Sequence, residues 1–154
     1  MTTANQPARI AGYAAVFDRV DRGGDVIRRG AFARELGKAG ALPLLWQHDA
    51  ARPLGRVERL AEDGRGLRMI ARLAEGSRAS AEALALLRSG AVTGLSFGYR
   101  VRDQAPRPGG RDLRDLELIE VSLVTFPMQP LARVHAVETG EGHVAPAPAR
   151  APGR

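Results

Sequence analysis

Apolar and polar residues divide this chain into short segments, most of them of strand length. Ile10 to Phe17 (IAGYAAVF) is an apolar run that predicts a strand, and Asp18 to Asp25 (DRVDRGGD) is a turn-rich loop with Gly23-Gly24 at its tip. Between Gly30 and Gly40, Phe32, Ala33 and Leu36 fall at helical spacing before a glycine stop, which predicts a short helix. Leu42 to Gln47 (LPLLWQ) is a second apolar strand and delivers His48 at its end. Pro53 to Leu60 alternates, residues 62–66 (EDGRG) make a hairpin turn, and Leu67 to Leu73 returns, so a β-hairpin is expected. Ser77 to Ser89 carries serine caps, an Ala/Leu stripe and a following Gly90, the signature of a helix.

Val92 to Val101 resumes strand character with Ser96 inside it, and Asp103 to Asp112 (DQAPRPGGRD) reads as a Pro/Gly loop. From Leu113 to Phe126 the chain is β-rich, with Ile119, Val121, Leu123 and Thr125 alternating against Glu120, Ser122 and Val124. After Ala136 the composition changes to that of ETGEGHVAPAPARAPGR, which has too few apolar residues to pack. These segments predict an α+β, β-dominated fold: one barrel-type sheet, antiparallel or mixed, with about two flanking helices. The expected organisation is a flexible N-terminus (1–8), one domain (9–136) and a disordered Pro/Ala/Arg tail (137–154).

Composition narrows this picture. At 154 residues the chain is one domain's worth, and with 44% hydrophobic but 5% aromatic residues its core must be mainly aliphatic. The absence of cysteine excludes disulfides and thiolate-bound zinc. No segment has the length and hydrophobicity of a membrane span or signal peptide, so a soluble, cytoplasmic protein is expected. The net charge of +6 would suit an acidic partner, but the arginines are scattered along the chain, which argues against a dedicated nucleic-acid site.

The chemistry centres on Ser96. Gly94-Leu95-Ser96-Phe97-Gly98 satisfies the G-x-S-x-G pattern of the α/β-hydrolase elbow, yet strand-forming residues follow the serine where that fold requires a helix. A serine hydroxyl needs a base to act as a nucleophile at neutral pH. The three histidines are His48, at the end of an apolar strand, His135, at the edge of the domain, and His143, in the tail. A carboxylate orienting the imidazole could be Glu120, mid-strand between Ile119 and Val121, with Glu117 and Asp115 as alternatives; Glu120 could equally be the outward-facing residue of a half-exposed strand. Ser122, on the same strand face as Glu120, is a candidate supporting hydroxyl.

Blocks along almost the whole domain resemble the prohead maturation proteases of tailed bacteriophages, a serine protease family related in fold to the herpesvirus assemblins. They are GYAAVFDRVDRGGDVIRRGAF (12–32), LLWQHD (44–49), PLGRV (53–57), GLRMIARL (66–73), VTGLSFGYRV (92–101) and LELIEVSLVTFPMQPLA (116–132). The resemblance implies an assemblin-like sheet, His48 as general base, Ser96 as nucleophile and Glu120 as the orienting acid, with no cofactor and no metal. It implies cleavage of capsid or scaffold segments, and of the protease itself, inside the immature capsid of a phage, prophage or gene-transfer particle in the host cytoplasm. The implied partners are the major capsid protein, a scaffold protein and further copies of the chain. Oxyanion donors are expected near Pro127 to Pro130, where Met128 and Gln129 replace the small residue and asparagine usual in relatives. Two other readings are a non-enzymatic capsid-assembly module of the same fold and, with weaker support, a metal-dependent hydrolase built on His48, Asp49 and His135.

Overall fold

The structure, a computed structural model, describes residues 7–139 and 144–146. Its elements in chain order are β1 (Arg9–Val16), β2 (Val26–Ile27), a 3-10 turn (Leu36–Lys38), β3 (Pro43–Trp46), β4 (Asp49–Glu62) and β5 (Gly66–Leu73). There follow α1 (Arg78–Ser89), β6 (Gly94–Arg107), β7 (Gly110–Val124), β8 (Val134–Glu138) and β9 (Val144–Pro146). The strands form one mixed sheet in the order β2-β7-β3-β4-β5-β1-β8-β9, with β6 also paired to β7. The ladder path does not close, although a single bridge from Gly94 to Arg133 links the start of β6 to the residue before β8.

The expected hairpin is present as β4 and β5, and α1 begins and ends where its caps predict. Ser77 accepts from the Ser80 amide at 3.2 Å, and Gly90 takes the left-handed conformation that closes a helix. The helix buries Ala83 and Leu87 against the core, and its Ser80 hydroxyl donates to the Leu54 carbonyl of β4.

Two segments differ from the sequence expectation. Residues 30–40 do not form an α-helix, so α1 is the one α-helix among the described residues, against the two expected. The amides of Ala31, Ala33, Glu35 and Lys38 each bond three residues back, the spacing of turns and 3-10 structure rather than of an α-helix. Tertiary demands override the helical pattern: Phe32 is fully buried, its amide taken by Glu62, and the buried Glu35 carboxylate must meet both Lys38 and Arg102.

The second difference is at residues 103–112, which are not a loop but the far end of the β6–β7 hairpin. The reversal uses only Pro108 and Gly109, the latter at φ +79°, matching a Pro-Gly type II turn. Arg111 fastens this tip to the loop after β1 by gripping Asp25 at 2.7 and 3.2 Å, while Arg107 donates to the Gly24 carbonyl. The contact is so close that a Cβ on Gly24 would lie 2.0 Å from the Gly109 carbonyl oxygen.

Strand pairing continues through Glu138 of β8, and Val137 is buried. Most of the expected tail, His143 included, lies outside the described residues.

β7 organises the site. One edge carries β6 along nearly its full length, and the other carries two short parallel strands, β2 at Asp112–Leu113 and β3 at Val121–Leu123. Val121 and Leu123 are buried in the core, and on the opposite face Glu120, Ser122 and Val124 are buried as well. The half-exposed alternation allowed for in the sequence therefore does not hold in this stretch. Each fully buried aliphatic side chain contributes roughly 1.5–3 kcal/mol, so the packing of β7 fixes its polar residues firmly in place.

Candidate active site

β3 reverses into β4 through just two residues, Gln47 and His48, because Trp46 already pairs with Asp49. Both have positive φ, 51° and 60°, as a two-residue type I′ reversal requires. Asparagine and glycine normally occupy such positions, and a left-handed backbone at another residue costs about 1–2 kcal/mol. Four contacts to β7 and its continuation oppose that cost. The Gln47 amide donates to the Leu123 carbonyl, its side chain donates to Thr125 Oγ1 and accepts from the Thr125 amide, and the His48 amide donates to Ser122 Oγ at 3.0 Å. Gln47 is thus a positioning residue that strand periodicity could not reveal. The available signal was a polar pair, Gln-His, at a sharp strand end.

The His48 ring hydrogen-bonds through Nδ1 to Glu120 Oε1. The other carboxylate oxygen, Oε2, accepts from the Ser122 hydroxyl at 2.7 Å. Ser122 therefore accepts from the His48 main chain and donates to the carboxylate that holds the His48 ring. With Nδ1 carrying the proton towards Glu120, Nε2 is left as the lone-pair nitrogen, the form a base needs. The hydrogen bond to Glu120 pushes the His48 pKa above its ordinary value; partial burial opposes this, and the carboxylate charge adds to it. Opposite Glu120 on β6 stands Gly98, where a Cβ would lie 2.8 Å from Oε1. Glycine keeps that space clear for the carboxylate.

Ser96 is buried in β6, directly opposite Ser122 of β7. Among the described residues no hydrogen bond joins its hydroxyl to the His48 ring. The structure thus brings His48 and Glu120 into contact and sets Ser96 one strand away, across Ser122. Ser96 also lines a recess of about 30 Å³ with Ala14, Asp21, Ile27, Leu95, Phe97, Tyr99, Met128 and Gln129. Gln129 is buried: its side-chain amide donates to the Arg19 and Val20 carbonyls and its Oε1 accepts from the Leu131 amide. It staples the 127–131 loop to the loop after β1.

The remaining candidates lie elsewhere. The His135 ring packs against Tyr13, and partial burial, with Arg68 and Arg65 adding to it, pushes its pKa down. Asp49 pairs with Arg52, and Asp115 pairs with Arg34 and Arg102. Among the described residues no group of three or more His, Asp or Glu side chains is placed to hold a metal ion.

Residues 1–145 match the caudovirus prohead serine protease family. The chain belongs to that family. It is 32% identical over 136 residues to the prohead protease of Enterobacteria phage HK97, covering 85% of this chain and 60% of that protein. It is 28% identical over 141 residues to the prohead protease of Escherichia phage T5, covering 88% and 65%. A capsid polyprotein of Pseudomonas phage PAJU2 is 30% identical over 106 residues, which are 64% of this chain and 16% of that one. The chain thus spans less than two thirds of the length of these relatives. In fold it is similar to the capsid assembly protease of bacteriophage T4 (TM-score 0.59, 18% identity, 75% of this chain and 80% of that one). It is also similar to the KSHV protease solved with a hexapeptide phosphonate inhibitor (TM-score 0.54, 15% identity, 80% and 62%). The assemblin-like sheet implied by the sequence is therefore the fold observed.

Proposed function

We propose that this chain is the serine endopeptidase of prohead maturation, cutting capsid or scaffold polypeptide, and its own chain, inside an immature particle. The observation that carries this reading is the pairing of His48 Nδ1 with Glu120 beside Ser96, in a family named for a serine protease. In this reading Ser96 Oγ attacks the scissile carbonyl while His48 Nε2 takes its proton, later returning it to the leaving amine. Glu120 fixes the tautomer and supports the imidazolium that forms. The hydroxyl and ring close to hydrogen-bonding distance when substrate is seated, since such contacts are commonly loose in the free enzyme. Main-chain N–H groups at Met128 and Gln129, on the loop that borders the Ser96 recess, serve the oxyanion.

A polypeptide substrate is favoured by the surroundings of the recess. Val20, Phe126, Met128 and Leu131 are exposed apolar side chains on the two loops that flank it. Such a rim suits an unfolded or extended segment with apolar side chains. The reading includes contact with the major capsid protein or a scaffold protein, and with further copies of this chain.

Co-expression of wild type and Ser96→Ala with the capsid protein of the same particle tests it, read by intact mass of both chains. Shortened capsid protein with wild type alone is expected. Unchanged masses with both, in particles that still assemble, would instead support a non-enzymatic assembly module.

A further inference from the structure

The aspartates of this chain are mostly neutralised. Asp18, Asp25, Asp49, Asp103, Asp112 and Asp115 each pair with an arginine, and Asp63 takes the Tyr13 hydroxyl. Asp21 is the exception: among the described residues its carboxylate meets neither a cationic nor a hydroxyl side chain, although the chain has 23 Lys and Arg against 17 Asp and Glu. Its Oδ1 accepts from the Gly23 and Asp25 amides at 2.9 Å, which fixes the side chain, while Oδ2 has no protein partner among the described residues. This half-buried, held carboxylate forms part of the wall of the recess that Ser96 also lines.

The other walls are apolar or uncharged: Ala14, Ile27, Leu95, Phe97, Tyr99, Met128 and Gln129. The arginines of the same loop, Arg19 and Arg22, are exposed and do not line it. A volume of about 30 Å³ is small. A single water needs roughly 10–15 Å³ measured this way, so the recess has room for a few side-chain atoms and not for an aromatic ring. Apolar walls with one carboxylate among them that no side chain neutralises match a side chain with a flexible stem and a cationic head.

Resting on the reading of Ser96 as nucleophile, we propose that this recess receives the side chain on the acyl side of the scissile bond, and that Asp21 selects lysine or arginine there. The loop that carries Asp21 is held on both sides, by the Arg111–Asp25 pair and by the Gln129 side chain, so the carboxylate is presented on a rigid wall.

Asp21→Asn isolates the charge, because asparagine Oδ1 accepts the same two amide bonds and keeps the turn. The experiment measures covalent labelling rates of Ser96, by mass spectrometry, with diphenyl phosphonates bearing lysine-, leucine-, alanine- or glutamate-like side chains. A fluorophosphonate without any side chain serves as the control. The lysine-like probe is expected to label wild type fastest, and Asp21→Asn to slow that probe about tenfold or more, the worth of a hydrogen bond to a charged group. The alanine-like probe and the fluorophosphonate should label the variant as fast as wild type. Equal or faster wild-type labelling by any other side chain, or an Asp21→Asn variant indistinguishable with the lysine-like probe, overturns the selector role while the nucleophile stands. Failure of the fluorophosphonate to label wild-type Ser96 overturns the nucleophile reading itself, and the selector role with it.

Discussion

Glu120 acts on His48 by holding its ring and by favouring its protonated form. Because the carboxylate raises the pKa of His48, the neutral ring that a general base requires is reached only at higher pH than for a free histidine. Peptide cleavage is therefore expected to rise with pH through a midpoint above about 6.5, the ordinary histidine value. Glu120→Gln should move that midpoint down and lower kcat by about 10²–10⁴-fold, measured as a kcat–pH profile. Gly98→Ala should act in the same direction but less severely. Its methyl would lie 2.8 Å from Oε1, so the carboxylate must shift, with a cost of about 1–3 kcal/mol in a thermal melt.

At this scale the contact of His48 with Glu120 was legible because both are rare residue types in apolar strands: His48 follows LPLLWQ, and Glu120 interrupts LELIEVSLV. What periodicity could not tell was that Glu120 is buried. That depends on β7 being covered on both faces, which is a property of its neighbours.

The two-residue turn at Gln47-His48 is the element that aims the His48 ring at Glu120. Its left-handed backbone is held by the Gln47 contacts to Thr125 and the main-chain contacts to Leu123 and Ser122. Gln47→Ala removes the side-chain anchor, and about 1–2 kcal/mol of stability should go with it. In steady-state kinetics kcat should fall more than KM rises, since the variant disturbs the aim of the base rather than the substrate surface.

The other elements show why local pattern succeeds or fails. Ser77 and Gly90 bound α1 with chemistry that is local, so α1 was legible. Residues 30–40 have helical spacing but are governed by distant partners, Glu62 and Arg102, so they were not. The Pro/Gly stretch at the β6–β7 tip looked like a loop because its prolines and glycines read as breakers, whereas β6 and β7 pair through it and Arg111 fastens it to Asp25, 86 residues away.

For the molecule as a whole, several carboxylates have pKa values pushed down: Asp25 by hydrogen bonding to Arg111, and Asp63 by hydrogen bonding to Tyr13. For Glu35 and Glu58 burial pulls upward, but Lys38 and Arg102 outweigh it for the first, and Arg9 and Arg72 for the second. Groups with lowered folded pKa stabilise the fold above their ordinary values of about 4 and lose that contribution as pH falls through the lowered ones. The melting temperature, followed by circular dichroism, should therefore drop steeply below about pH 4. His48 has the opposite sign: its contribution is complete below about 6.5 and disappears as pH rises through the raised value, the range in which cleavage increases. The sheet itself was legible because strands, hairpin and α1 announce themselves one at a time. Its pairing order was not, since β3 beside β7 is a relation between distant stretches.

That pairing also has a bearing on time. His48 and Glu120 lie 72 residues apart, and the parallel match of β3 with β7 can form only after nearly all of the domain has been synthesised. Long-range parallel pairing is intrinsically slow to form. His48 therefore meets Glu120 among the last events of folding, and a nascent or prematurely terminated chain that ends before β7 carries His48 without Glu120. During refolding, reactivity of Ser96 should recover with the slowest phase, after the β4–β5 hairpin and α1 have already formed. On the proposed function, the chain would then lack cleaving activity until its synthesis is nearly complete.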